Sequence, residues 1–389
     1  AQHDRGSPAI QVCVRLADLV DAIIWDLFSA ASQQVGPERL AGQIAIVAHG
    51  GYGRRDMAPH SDVDLMLLHS PSGTDVASDL AKLLSRWIVD AGCELGFSFR
   101  TTSQALRLAW GDAKVFSSLA ESRLLAGSVE LFSQYMHGLR QGAKRRSKKI
   151  IQSLEEARFE ERRKYGETVF LLEPNIKRSR GGIRDVQLVR WIGFANHGEC
   201  DLERLMHLGH IDREDYRNLR QGYQYLLRLR NQMHFDAGKS QDQLDRGLQM
   251  RLAEWSGFKG AEGILPVEQF MQEYFAHTNE IRFSSAQFVD VAKIQSPFAR
   301  TLTRSIGFPV KRDYRVGVRS VWATKSGLER LKRDPAAVLE LMSVSSLFGK
   351  SIDHQTWREI RSAMLARRAT EIDQVTIQRF LELMSQSSG

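Results

Sequence analysis

Two aspartates, Asp62 and Asp64, stand either side of Val63 at the head of the apolar run Leu65–Leu68. Side chains alternate along an extended strand, so both carboxylates project from one face, about 6–7 Å apart at the backbone. Two carboxylates so placed can hold a pair of Mg²⁺ ions about 3.5–4 Å apart, the arrangement used for in-line phosphoryl or nucleotidyl transfer. Upstream, the short apolar run Ile44–Ala48 leads into His49-Gly50-Gly51-Tyr52-Gly53. Glycines at the end of a strand leave room for backbone N–H groups to approach a triphosphate. From Gly51 to Asp62 the chain advances 11 positions, enough for a short helical turn between the two. A lone Asp-x-Asp or a lone glycine pair carries little; in this order and spacing they point to a nucleotidyltransferase site.

A second segment is also unusual: Leu172-Glu173-Pro174-Asn175-Ile176-Lys177, followed by Gly181-Gly182-Ile183-Arg184-Asp185. Pro174 blocks helix, the glycine pair makes a turn, and Asp185 falls near the start of a following helix. Lys177, Arg178, Arg180 and Arg184 could meet phosphates at that helix start. Equally, Asn175, Asp185 and Gln187 could cap a loop between helices by satisfying its backbone groups. The residues leave both readings open.

Positioning these groups requires strands first and helices after. Residues 10–33 carry apolar side chains at three- and four-residue spacing and read as an amphipathic helix. Residues 44–48, 62–69 and 94–101 read as strands, with a helix over 76–89. Helical patterns then dominate, over 146–166, 184–197, 213–236, 246–256, 266–291, 327–347, 355–369 and 374–385. The best later strand signals are 168–172 and 314–321. The expected division is a small α/β domain with its N-terminal helix over 1–140, a helical domain over 141–300, and a mostly helical segment over 301–389.

The 389 residues suggest two or three domains at about 150 residues each. A hydrophobic share of 42% and a charged share of 26% support real cores and exclude a disordered chain. No run approaches the roughly 20 apolar residues of a membrane span, and no secretory h-region is apparent. Three scattered cysteines, Cys13, Cys93 and Cys200, exclude a disulfide scaffold or a Cys-based zinc site and suit a reducing cytoplasm. The net charge of +8 is the excess of one stretch: residues 140–190 hold 15 basic and 7 acidic side chains. Such an excess fits a phosphate-rich ligand or an acidic partner, or simply a solvated helix face.

The Gly-Gly…Asp-x-Asp arrangement resembles the signature of the DNA polymerase β-like nucleotidyltransferases. The fuller pattern, GGYGRRDMAPHSDVDL with LEPNIK and GGIRDVQ, resembles the protein-PII uridylyltransferase (bifunctional uridylyltransferase/uridylyl-removing) family. Further similar elements are Gly96-Phe-Ser98-Phe-Arg100, Glu121-Ser-Arg123-Leu-Leu-Ala-Gly127, and the helical stretch from Leu226 to His234. The resemblance runs from about residue 40 to 295. It implies a small mixed-sheet nucleotidyltransferase domain with a helical domain behind it, and transfer of UMP from UTP to a tyrosine of the PII nitrogen-signalling protein. Full-length members continue into an HD phosphohydrolase domain and tandem ACT domains. No His-Asp pair follows the aspartate motif here, and no C-terminal segment reads as an ACT βαββαβ unit. Uridylyl removal and glutamine sensing are therefore not expected of this chain. Arg55 stands where many members have glycine.

On this resemblance Asp62 and Asp64 bind Mg²⁺, and Gly50, Gly51 and Ser61 contact the triphosphate. Glu94 is the expected third carboxylate, with Asp90 second, and Lys177 and Arg184 are candidates to clamp the leaving pyrophosphate. His49, His60 and His234 lack ligand-like spacing and are expected to cap or pack. Tyr52 could stack on uracil, but packing within its loop is the expectation. Two other functions compete: transfer to RNA or a small molecule, and a non-catalytic module that binds nucleotide or PII. No aromatic-interleaved platform accompanies the basic stretch, which argues against nucleic acid.

Overall fold

The computed structural model describes residue 3 and residues 6–293, 307–317, 320–365 and 373–385. The chain forms two compact units, 1–293 and 294–389.

The first unit is built on a four-stranded mixed sheet. Strands β1 (Ile44–Ala48), β2 (Val63–His69), β3 (Leu95–Thr101) and β4 (Arg123–Gly127) lie in the order β3-β2-β1-β4. β1 runs antiparallel to β2 and β4, while β2 and β3 are parallel, with Val63 opposite Leu95 and Asp64 opposite Gly96. Alternation divides the sheet between two cores. Ile44, Ile46, Val63, Leu65 and Leu67 face one way, into a core with helices α1 (Ala9–Val35) and α4 (Thr74–Asp90). Ala45, Val47, Met66 and Leu68 face the other way, into a larger core shared with the helices that follow. Asp62 and Asp64 share the parity of Met66 and Leu68, so they emerge on the helical side.

The short α2 (Pro37–Leu40) lies just before β1, and the single turn α3 (Gly50–Gly53) lies just after it, between β1 and β2. Helices α5 (Thr102–Gly111) and α6 (Ala113–Leu119) lead to β4. Then α7 runs unbroken for 37 residues from Val129 to Tyr165. The expected boundary at 140 falls inside it, and the chain does not divide there. Gly138 and Gly142 mask this helix in the sequence; a Cβ at either would meet the side chain of Leu106 or the ring of Trp110. Helices α8 (Ile183–His197), α9 (Leu202–His207), α10 (Arg213–Ala237), α11 (Arg246–Trp255) and α12 (Pro266–Ala292) complete the unit. Residues 168–172, expected as a strand, are an irregular loop instead.

The second unit contains more sheet than its sequence promised. Strands β5 (Gly307–Val310), β6 (Tyr314–Gly317), β7 (Ser320–Ala323) and β8 (Ser351–Ile352) pair in that order. The expected helix over 327–347 is two, Lys325–Arg333 and Pro335–Leu347. Asp334 separates them, its carboxylate accepting from the Ala336 N–H ahead of a helix that starts on proline. Tyr314, Val316, Val321, Leu331, Leu341 and Ile360 form the core. The expected boundary at 300 lies outside the described residues.

Candidate active site

The site begins where β1 ends. Gly50 takes a left-handed conformation (φ 58°), and a Cβ there would stand 2.8 Å from Asp64 Oδ2 and 3.0 Å from Ser118 Oγ. Across the parallel pair, a Cβ on Gly96 would stand 2.5 Å from Asp64 Oδ1. The Asp64 carboxylate therefore lies between two positions that tolerate no side chain. Gly51 differs: only Arg54 comes within 4.0 Å of its Cβ position, so its surface is open. The turn is closed by Gly53 N–H donating to His49 and Arg54 N–H to Gly50.

Asp62 is exposed and Asp64 half-buried. Burial and the neighbouring Asp62 charge push the Asp64 carboxyl up to about 6, against opposing pulls from Lys177 and Arg54. Two acidic oxygen donors crowded together, one of them reluctant to ionise, suit a hard divalent cation such as Mg²⁺. Ser61 is committed locally, its Oγ accepting from the Ala58 N–H at 3.0 Å. Glu94 is exposed; its carbonyl accepts from Val63 N–H, which sets it beside Asp62 at the strand ends. Asp90 is also exposed and lies near Arg86 on α4. Among the described residues no three His, Cys, Asp or Glu side chains gather into a metal-ligating cluster. Asp62, Asp64 and Glu94 thus come from the adjoining ends of β2 and β3.

The second segment is a loop closed by its own polar groups, as one of its two readings expects. Asn175 Oδ1 accepts from the N–H groups of Lys177 and Arg178, closing the loop. Asp185 is buried, accepting from Gly181 N–H at 2.6 Å and from Arg158 Nε at 2.7 Å. Arg158 reaches across from α7 to donate also to the carbonyls of Arg178 and Ser179. Asn175 and Asp185 are therefore structural. Lys177 is different: its charge pulls the Asp64 carboxyl back toward the ionised form. Its ammonium lies 3.9 Å from Asp242, and burial, with Arg230 beside it, lowers its pKa to about 8. Arg184 joins the same region, 3.6 Å from Glu161 and donating to Gln187.

Several residues here carried no distinct signal. Asp242 also accepts from Arg230 Nε at 2.8 Å and neighbours His234 Nε2 at 3.4 Å. Buried Arg54 pairs with Asp56 and Glu121. Glu121 accepts in addition from Arg190 at 2.8 Å and Trp191 at 3.2 Å, and Asp56 from the Tyr223 hydroxyl. This buried network fastens the glycine turn to α8 and α10. Gly96 could have been noticed, since glycine within a strand marks close approach by another group. His49, half-buried, and His234 are packed, whereas His60 is exposed. His49 Nδ1 and Ser118 Oγ share a 2.8 Å hydrogen bond, and His234 is fully buried. Tyr52 is fully buried too, its hydroxyl donating to Asp21 at 2.6 Å, so it is a packing residue.

The chain is similar in sequence to known proteins over most of its length. Residues 148–289 match the family model for GlnD PII-uridylyltransferase. A bifunctional uridylyltransferase/uridylyl-removing enzyme of Erythrobacter litoralis is 29% identical over 395 residues, covering 98% of this chain and 42% of that protein. Its namesake in Novosphingobium aromaticivorans is 27% identical over 373 residues, 94% of this chain and 40% of the relative. In Cereibacter sphaeroides the figures are 31% over 272 residues, 68% and 29%. By this kinship the chain is similar to enzymes named for uridylyl transfer and removal. The resemblance to the protein-PII uridylyltransferase family, read from the motifs, holds over most of its length. The chain spans about two fifths of the length of the first two relatives. No described helix is long and apolar enough to cross a membrane.

Proposed function

We propose that this chain transfers UMP from UTP to a tyrosine hydroxyl of a PII-type signalling protein, releasing pyrophosphate, on a polymerase β-like nucleotidyltransferase domain. The observation that carries the reading is the Asp64 carboxylate, set between Gly50 and Gly96 beside Asp62, with Lys177 of the second motif acting on it. Asp62 and Asp64 would hold Mg²⁺, which when bound neutralises triphosphate charge and favours the ionised acceptor oxygen.

The chain's own groups account for the rest. The open face at Gly51 admits phosphate oxygens to the backbone of the turn, with Ser61 beside the carboxylates. Lys177, steadied by Asp242, and Arg184 offset charge on the departing pyrophosphate. A tyrosine hydroxyl, with an ordinary pKa near 10, gives its proton to a carboxylate of the pair as its oxygen bonds to the α-phosphorus. The bond from that phosphorus to the pyrophosphate oxygen breaks opposite. Glu94, exposed beside Asp62, is the third carboxylate of the proposal.

The test is incubation with a PII protein, Mg²⁺ and each of the four NTPs, followed by intact mass. A UMP-sized gain from UTP alone, abolished in Asp62→Asn, is expected. Full transfer by Asp62→Asn would overturn the assignment. A gain on added RNA in place of PII would move the acceptor to nucleic acid.

A further inference from the structure

The glycine turn is held from a direction that its own motif does not reveal. Asp21 lies in the middle of α1 and accepts three hydrogen bonds: from the Tyr52 hydroxyl at 2.6 Å, and from Arg123 Nη1 and Nη2 at 2.8 and 2.9 Å. Arg123, first residue of β4, donates onward to the carbonyls of Gly53 at 3.4 Å and Tyr52 at 3.5 Å, and its guanidinium lies 5.5 Å from the centre of the Tyr52 ring. One turn earlier on α1, Asp18 pairs with Arg55, which takes a left-handed conformation (φ 65°) just after the turn.

We infer that Asp21 is a positioning residue for nucleotide binding, fixing the Gly50–Gly53 turn through Tyr52 and Arg123; this rests on the reading of that turn as the phosphate site. The chemistry favours the role. Charge-assisted, bidentate bonds to arginine are the directional ones. Tyr52 cannot reorient when its bond is lost, because it is fully buried. Gly53 has no slack either: a Cβ there would meet the Ala48 carbonyl oxygen at 2.7 Å. The turn can therefore move only as a body, and Asp21 restrains that movement from the side opposite the Arg54–Glu121 pair. Of the two residues Asp21 grips, Tyr52 belongs to the turn and Arg123 donates to the turn's carbonyls.

Asp21→Ala, Asp21→Asn and the control Asp26→Ala, which alters an exposed aspartate further along α1, make the test. Each full-length variant is examined well below its melting temperature, first by hydrogen exchange of peptides covering 49–56 and 63–69. Asp21→Ala is expected to speed exchange in 49–56 and leave 63–69 unchanged. Asp21→Asn, which keeps an acceptor for Tyr52, falls between it and the parent, and Asp26→Ala matches the parent. UTP affinity in Mg²⁺, by calorimetry, is expected to weaken about tenfold in Asp21→Ala. Unchanged exchange in 49–56 would overturn the inference, as would parental UTP affinity in a folded Asp21→Ala. If the parent binds no UTP while exchange in 49–56 still responds to Asp21, the phosphate reading of the turn fails and the clamp stands as a purely structural one.

Discussion

Gly96 faces Asp64 across the parallel β2–β3 pair, and an added Cβ would lie 2.5 Å from the Asp64 carboxylate. Gly96, on the strand that begins beside Glu94, clears space for the Asp64 carboxylate. Gly96→Ala must therefore turn the Asp64 carboxylate aside while leaving the sheet paired. Divalent-dependent transfer is expected to fall about a hundredfold, since displacements near 1 Å cost that much. A melting curve within a few degrees of the parent would show that the fold is kept.

Asp64 also sets a pH dependence. Its carboxyl, raised from an ordinary 3.8 to about 6, holds its proton more tightly folded than unfolded. Stability from this group is thus full below pH 4, falls as pH rises to 6, and stays lost above. Asp64→Asn removes the group, so above pH 6 without divalent ions it should melt a few degrees higher than the parent. Below pH 4 that advantage should vanish. Thermal melts across pH 4–8 read both.

Glu121 compensates two buried arginines at once, Arg54 and Arg190. Glu121→Ala leaves both without their shared carboxylate, and uncompensated buried charge costs about 3–5 kcal/mol. Urea unfolding should register a loss of that size, with the damage spreading to the glycine turn through Arg54.

Arg55 holds a left-handed backbone that glycine adopts freely. Its pairing with Asp18 is half-exposed, so it offsets little of that strain. Arg55→Gly should lie within about 1 kcal/mol of the parent in urea. Arg55→Val, a branched side chain in the same conformation, should cost about 2 kcal/mol or more.

The legible parts of the molecule were those where chemistry and local pattern coincide. Asp62 and Asp64 could be placed on one face because strand alternation is fixed, and Lys177 stood out within a motif. Asp242 could not be matched to Lys177, because 65 residues and a change of helix separate them in sequence. Glu94 was chosen by its strand-end position. Its exposure and the glycine two residues on depend on tertiary neighbours that one sequence does not display. The boundary expected at 140 followed the change in character there, yet one face of the sheet shares its core with the helices that follow. In the second unit the 314–321 signal fell on β6 and the start of β7, whereas β5, which contains Pro309, and the two-residue β8 were too short for alternation to register.

The unbroken α7 acts as a gauge. It starts two residues after β4 leaves the sheet, and about 44 Å along its axis Arg158 grips the loop that carries Lys177. Adding or removing one residue between them would swing Arg158 by about 100° and shift it about 1.5 Å, releasing Asp185 and the loop together. In the proposed site, the reach from the paired aspartates to Lys177 is thus measured out by helix length.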